Sequence, residues 1–67
     1  DAEKLGIIIE VKYAEDGKED IECRNALRQI EVKKYGMSLR QMGVEQILNY
    51  GIACNRKRCR VMMERSR

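Results

Sequence analysis

LGIIIEVKY, residues 5–13, is a β-rich run that ends just before the turn signal EDGK at residues 15–18. Val, Ile and Tyr favour strands, so this run predicts a β-strand. Its nearly continuous apolar start predicts burial on both faces of a sheet. Because side chains alternate along a strand, Ile8, Glu10 and Lys12 share one face. The other face receives Ile7, Ile9, Val11 and Tyr13.

A helix is predicted next, over about residues 20–35. Its apolar stripe has the i, i+3, i+4, i+7 spacing of an amphipathic helix and consists of Cys23, Ala26, Leu27 and Ile30. Acids cluster at its start and lysines at its end, which suits the helix dipole. Gly36 is expected to terminate it. Residues 37–43 are expected to form a loop or a single helical turn.

Two further strands are predicted after that loop, over about residues 44–54 and about residues 58–64. The apolar points of the first are Ile47, Leu48, Tyr50, Ile52 and Cys54. The second alternates in the manner of a half-exposed hairpin strand. The order β-α-β-β predicts an α/β fold, in which a helix joins two parallel strands and an antiparallel hairpin completes a mixed sheet.

The composition of the 67 residues limits the size of the core. The chain has no Trp, no Phe and three Tyr, and so short a chain is marginally stable alone. We therefore expect residues 1–67 to be one partial domain that lacks an upstream strand, or a chain that self-associates as a homodimer. No membrane span or signal pattern is present, and three cysteines are too few for a secreted disulfide framework. A cytoplasmic location is expected. Cys54 and Cys59 bracket the hairpin turn, where a disulfide is geometrically possible, but a reducing cytoplasm favours two thiols.

The charge distribution is uneven along the chain. The net charge is +3, yet residues 1–22 hold eight of the eleven acids and only three of the fourteen Lys and Arg residues. The densest basic cluster surrounds the predicted hairpin and consists of Arg56, Lys57, Arg58 and Arg60. Such a cluster suits binding to nucleic-acid phosphates. A solvated hairpin surface explains it equally well.

Glu10 and Lys12 stand directly after three isoleucines, at the end of the predicted strand. A partly buried carboxylate requires a counter-charge or a metal ion. An ion pair at a strand end is one interpretation; a metal ligand beside a catalytic lysine is the other. The acid-x-Lys pattern also occurs in the turn at residues 16–18 and on the helix at residues 31–33. Only the pair in the strand has a buried context, so context selects it.

The strand GIIIEVKY, residues 6–13, resembles the motif strand of the PD-(D/E)XK nuclease superfamily. The helix segment ALRQIEVKKY, residues 26–35, is similar to the Gln-then-Tyr helix of its RecB-like branch. NYGIAC, residues 49–54, and the basic hairpin resemble one subgroup in particular. That subgroup occurs C-terminal to an AAA-ATPase-like domain in uncharacterised bacterial proteins. The resemblance covers residues 6–61, with three segments in the right order.

The resemblance implies a function and roles for individual residues. It implies phosphodiester hydrolysis of DNA or RNA that depends on Mg²⁺ or Mn²⁺. Glu10 would be a metal ligand and Lys12 the catalytic lysine. Gln29 and Tyr35 would lie beside the site. Without the resemblance, Gln29 is interpreted as an ordinary exposed helix residue and Tyr35 as a core residue at the helix end.

The superfamily needs a second acidic ligand, usually an Asp on the preceding strand. Asp1 lies only nine residues before Glu10, which leaves no room for a strand and a turn between them. We therefore expect residues 1–67 alone to be inactive, as a part of a nuclease domain. The alternatives are a catalytically degenerate module that binds nucleic acid or protein, and a structural domain that dimerises.

Overall fold

A computed structural model describes residues 4–66, and these residues form a three-stranded mixed sheet with two helices. The elements are β1 (Leu5–Tyr13), α1 (Glu19–Val32), α2 (Tyr35–Gln41), β2 (Gln46–Cys54) and β3 (Cys59–Ser66). The strand order is β1-β2-β3. β1 and β2 are parallel, with Leu5 opposite Gln46 and Tyr13 opposite Cys54. β2 and β3 are antiparallel. The predicted α/β class and both strand pairings are confirmed.

The helical region differs from the sequence prediction. α1 ends at Val32, and residues 35–41 form the second helix α2, whereas residues 37–43 were expected to be a loop or a single helical turn. Lys34 separates the two helices because its backbone is left-handed, with φ of 58°. Gly36 was therefore wrongly predicted as the helix stop, and it lies inside α2. Within residues 4–66, no helix is long and apolar enough to cross a membrane.

Both helices lie on one face of the sheet, here called the helix-covered face. At Gly6, an added Cβ would lie 3.0 Å from Leu39 of α2. At Gly51, an added Cβ would collide with the carbonyl oxygen of Cys23 in α1. Because glycine has no side chain, α2 can approach the start of β1 at Gly6, and α1 can approach the middle of β2 at Gly51.

The core beneath the helices is built largely from small side chains. Its buried apolar residues are Ala14, Cys23, Ala26, Leu27, Ile30, Ile47 and Ala53. The thiol of Cys23 donates a hydrogen bond to the carbonyl oxygen of Arg60, at 3.2 Å, which ties α1 to β3. Ile47 and Cys23 are the largest side chains that are fully buried. The helix-covered face is thus closely approached but holds little apolar volume.

The opposite face of the sheet, here called the bare face, carries the larger apolar side chains. It consists of Leu5, Ile7, Ile9, Val11, Tyr13, Leu48, Tyr50, Ile52, Val61 and Met63. The β1 members are 54% to 71% exposed, from Ile7 to Tyr13. Burial on both faces of β1 was therefore wrongly predicted for residues 4–66, because both described helices pack on one side.

The β2–β3 hairpin is closed covalently and by its own turn. Cys54 and Cys59 are opposite each other and joined by a disulfide, so the expectation of two thiols was wrong. The side-chain oxygen of Asn55 accepts the backbone N–H groups of Lys57 and Arg58, at 2.8 and 3.0 Å. This Asx-type arrangement fixes the tip of the hairpin.

Candidate active site

Glu10 and Lys12 lie side by side on the helix-covered face of β1, and both are half-buried. Their neighbours in β2 are Gly51 and Ala53. Because those two residues are so small, α1 packs directly on β2. β1 is the edge strand of the described sheet. The two long charged side chains therefore lie at the flank of α1, where one end of each reaches solvent.

A cleft of about 460 Å³ opens beside Glu10, between β1 and α2. We call it the Glu10 cleft; its lining comprises Ile7, Ile8, Ile9, Glu10, Tyr35, Ser38 and Leu39. Tyr35 thus shares a cleft with Glu10, at the first position of α2. The ammonium group of Lys33 lies 6.0 Å from the centre of the Tyr35 ring. A carboxylate and a phenol therefore line one cavity.

Gln29 has a different relation to this cleft. The flank of α1 that carries Arg24 and Arg28 lies near Glu64 of β3. Gln29 is on the opposite flank of the helix, toward β1, and is half-buried. It is not among the residues that line the Glu10 cleft. The structure therefore places Gln29 on the flank of α1 toward β1, outside the lining of the Glu10 cleft.

The basic cluster lies in and beside the hairpin turn, just beyond the end of β1 where Lys12 lies. Three of its four cations face acids of the β1–α1 connection and the start of α1. These ion pairs are Lys57–Asp16 at 3.7 Å, Arg58–Asp16 at 3.8 Å, Arg58–Glu19 at 3.8 Å and Arg60–Asp20 at 2.9 Å. Arg56 is exposed at the tip. The charge asymmetry of the sequence is thus partly neutralised where the two regions meet.

Glu19 anchors this contact between the hairpin and α1. Its side chain is about one-tenth exposed and accepts a hydrogen bond from the amide of Asn55. The backbone N–H of Glu19 itself, the Asn55 amide and the Arg58 guanidinium hold the pKa of this carboxyl below its usual value of 4.5, against the opposing effect of burial. The charged form of Glu19 is therefore the one that the fold favours.

The described residues do not by themselves form a magnesium site. Mg²⁺ requires near-octahedral oxygen ligation, usually with one or two carboxylates beside water and phosphate oxygens. Glu10 is the one carboxylate that lines its cleft. Within residues 4–66, no group of three or more His, Cys, Asp or Glu side chains is placed to hold a metal ion.

Comparison with known families gives a direct match to the sequence. The model of the PD-(D/E)XK nuclease superfamily matches residues 1–64. The chain belongs to this superfamily. No curated protein and no solved structure matches it. Nucleases of the PD-(D/E)XK superfamily generally use divalent metals and act on nucleic acids. The resemblance inferred from the sequence is thereby confirmed at the level of the superfamily.

Two features of this PD-(D/E)XK domain were not predicted from the sequence. Ser38 and Leu39 line the Glu10 cleft from α2, but residues 37–43 were expected to be a loop or a single helical turn. Tyr35, Ser38 and Leu39 have the i, i+3, i+4 spacing of one helix face, and this spacing could have indicated that they lie together. Glu19 was considered only as an acid at the helix start, and nothing in the sequence indicated its contact with Asn55, which lies 36 residues away.

Proposed function

We propose that this chain is part of a metal-dependent nuclease domain that hydrolyses phosphodiester bonds in DNA or RNA. Glu10 and Lys12 are the centre of its active site. Tyr35 shares the Glu10 cleft, and Gln29 lies farther along, on the flank of α1 toward β1. The observation that carries the proposal is the position of the pair. Among the three acid-x-Lys patterns, this is the one that lies in a strand with both side chains half-buried, and its Glu10 lines a cleft. Membership of the nuclease superfamily supports the same conclusion.

The side chains present suit distinct parts of phosphodiester hydrolysis. The Lys12 ammonium group can orient a water molecule and stabilise the negative charge that develops on the phosphate. The phenol of Tyr35 can donate a hydrogen bond to a phosphate oxygen in the cleft. In the complete domain, Glu10 would supply one carboxylate to a divalent cation, Mg²⁺ or Mn²⁺. Because one carboxylate is too few, residues 1–67 alone are expected to be inactive, and activity belongs to the complete domain.

The basic hairpin extends the proposed site toward substrate. Its cations lie beyond Lys12, so a strand with its phosphate at Lys12 can continue across Arg56, Lys57, Arg58 and Arg60. Exposed ion pairs contribute only about 0–1 kcal/mol, so phosphates can compete with Asp16 and Asp20 for these cations. Arg56 faces the least competition, because its side chain has no carboxylate partner within residues 4–66.

The experiment is cleavage of labelled single- and double-stranded DNA and RNA with Mg²⁺ or Mn²⁺. It compares the 67-residue chain and the complete parent protein, each as wild type and as Lys12→Ala. We expect cleavage by the parent and a loss of about a hundredfold or more in the variant, because the phosphate charge loses its stabilising cation. Failure of a folded parent to cleave any of these substrates would refute the catalytic proposal.

Two matched controls come from the other acid-x-Lys patterns. Lys18→Ala and Lys33→Ala each remove one lysine from the same sequence pattern, in the turn before α1 and directly after the end of α1. Both should retain cleavage within about twofold, since exposed surface substitutions have small effects. Equal losses in all three variants would mean that the total positive charge matters and that Lys12 has no special role.

A second proposed function is binding without catalysis. The hairpin cations favour a degenerate module that binds nucleic acid. In that case the chain binds DNA or RNA with a strong salt dependence, and Lys12→Ala has no more effect than Lys18→Ala. The bare face favours self-association as a homodimer, which is the third proposal. An upstream AAA-ATPase-like domain and a cytoplasmic location also remain proposals.

A further inference from the structure

A second cleft lies on the far side of α2 from Glu10. It has a volume of about 330 Å³, at the lower end of the range of ligand pockets. α2 separates the two cavities, because Tyr35, Ser38 and Leu39 line the Glu10 cleft whereas Met37 and Arg40 line this one. We call it the Asn49 cleft. Neither its residues nor its position belongs to the proposed catalytic pair.

Asn49 is the unusual residue of this cleft. It occupies an inward position of β2 and is only 4% exposed. Its side-chain oxygen has no hydrogen-bond partner within residues 4–66. An unsatisfied polar atom at such depth costs stability, and a leucine of similar size would avoid that cost. A buried amide that borders a cavity is therefore suited to a ligand that supplies the missing hydrogen bond.

The charged groups of the cleft come from both ends of α2. Lys34 lines it from the left-handed backbone position between the helices, a conformation that non-glycine residues rarely adopt. Arg40 lines it from the other end of α2, and its guanidinium donates to the carbonyl oxygen of Glu45, at 3.2 Å. That bond uses one of the five N–H donors of Arg40. Glu31 is the carboxylate on the lining.

We propose that the Asn49 cleft binds a nucleoside monophosphate unit, either as a free nucleotide or within a single strand. The Asn49 amide offers the donor and acceptor pair that recognises an adenine edge. Ile30 and Met37 supply apolar contacts for the flat base. Lys34 and Arg40 hold the phosphate, and the Glu31 carboxylate accepts a hydrogen bond from a ribose hydroxyl. Binding at this cleft requires neither Glu10 nor cleavage.

The test is an NMR titration of the 67-residue chain with adenosine 5′-monophosphate, without a divalent metal. The expected result is saturable shifts of the Asn49 side-chain amide and the Met37 methyl group. Lys34→Gly removes the ammonium group while glycine tolerates the left-handed backbone, and it should weaken binding about tenfold or more. Asn49→Leu should lose binding to the same degree while its melting temperature stays equal or rises, because an unsatisfied polar group is removed. Lys33→Ala, the matched charge control, should bind within about twofold of wild type.

Two results would overturn the proposal. One is an Asn49→Leu variant that binds adenosine 5′-monophosphate as tightly as wild type. The other is inorganic phosphate that reproduces the same shifts at the same affinity, which would reduce the cleft to a basic patch. A titration with a short single-stranded oligoadenylate distinguishes a free nucleotide from a nucleotide within a single strand. Binding about tenfold tighter than that of the mononucleotide assigns the cleft to a strand, and equal binding assigns it to a free nucleotide. The titration contains no divalent metal and therefore measures binding without cleavage. Its result does not depend on whether Lys12 is catalytic.

Discussion

The two faces of the sheet differ in what they bury. The helix-covered face carries small residues such as Gly51 and Ala53, together with the polar residues Glu10, Lys12 and Asn49. The bare face carries Ile, Val, Leu, Tyr and Met, yet its β1 side chains are more than half exposed. The more apolar face is therefore the less buried one within residues 4–66.

The face of the sheet that packs most closely is therefore not the face that carries the most apolar surface. On the helix-covered face, small side chains bring α1 close to β2. The long polar side chains of β1 then lie at the flank of the helix, where they are half-buried and still accessible to a substrate. On the bare face, apolar area is concentrated without a described cover, and an exposed apolar patch of this kind marks an interaction surface. The catalytic proposal depends on the first face and the self-association proposal on the second.

The largest expected effect on stability comes from adding a side chain at Gly51, where α1 packs on β2. In Gly51→Ala, the new Cβ would collide with the backbone carbonyl of Cys23 and press on Leu27 and Ala26. We expect a loss of about 3 kcal/mol in the free energy of unfolding, measured by urea denaturation.

Gly36→Ala is the matched control for this substitution. Its Cβ would meet only the Ile47 side chain, at an ordinary 3.4 Å. Alanine also favours helix over glycine, so this variant should be neutral or more stable by up to about 1 kcal/mol. Equal stability of the two variants would contradict the close packing of α1 on β2.

A smaller effect is expected on the bare face, where Ile9→Glu places a charge in the apolar patch. The bare face groups ten apolar side chains on one side of the sheet, which suits the apolar core of an interface. We expect wild type to self-associate in sedimentation equilibrium, and Ile9→Glu to raise the dissociation constant about tenfold or more.

Ile21→Glu is the control, since Ile21 and Ile9 are both 57% exposed but Ile21 lies on α1. It should leave the dissociation constant within about twofold of wild type. A wild type that stays monomeric at all concentrations, or equal effects of the two substitutions, would refute an interface on the bare face.

The smallest effect concerns the acid side of the stability profile. The pKa of Glu19 is lowered below 4.5 in the fold, so its charged form stabilises the protein above that pH. This contribution is lost as the pH falls through the lower, folded-state pKa. Melting temperatures measured from about pH 6 to about pH 3 should therefore fall less steeply in Glu19→Gln than in wild type. Glu15→Gln, which removes a carboxylate that is 76% exposed, should follow the wild-type curve.

The sequence was sufficient for the strands and their pairing, because β1 and β3 have strong strand patterns and a helix between two strands implies a parallel pair. It was misleading for β2. Leu48, Tyr50 and Ile52 are the more apolar positions, and hydrophobicity alone assigns them to the core. The structure instead turns Asn49, Gly51 and Ala53 inward, because α1 requires small residues beneath it.

The candidate site could be predicted only in part. Glu10 and Lys12 followed from strand periodicity, and superfamily resemblance indicated Tyr35. The approach of Ser38 to the Glu10 cleft was not predictable, because it depends on the break at Lys34. A left-handed lysine leaves no signal in the sequence, so the end of α1 was placed at about residue 35 and residues 35–41 were not predicted to form a helix of their own.

We propose that the chemistry belongs to the Glu10 cleft on the helix-covered face. Because the single carboxylate of Glu10 is expected to bind a divalent ion only weakly, the measurement is paramagnetic line broadening by Mn²⁺, which a weakly bound ion also produces. NMR spectra of the 67-residue chain are compared with those of Glu10→Gln and Asp16→Asn. We expect broadening centred on the amides of residues 9–11, 35 and 38, which disappears in Glu10→Gln and persists in Asp16→Asn. Broadening centred on the acidic residues 15–20 and unchanged in Glu10→Gln would contradict it.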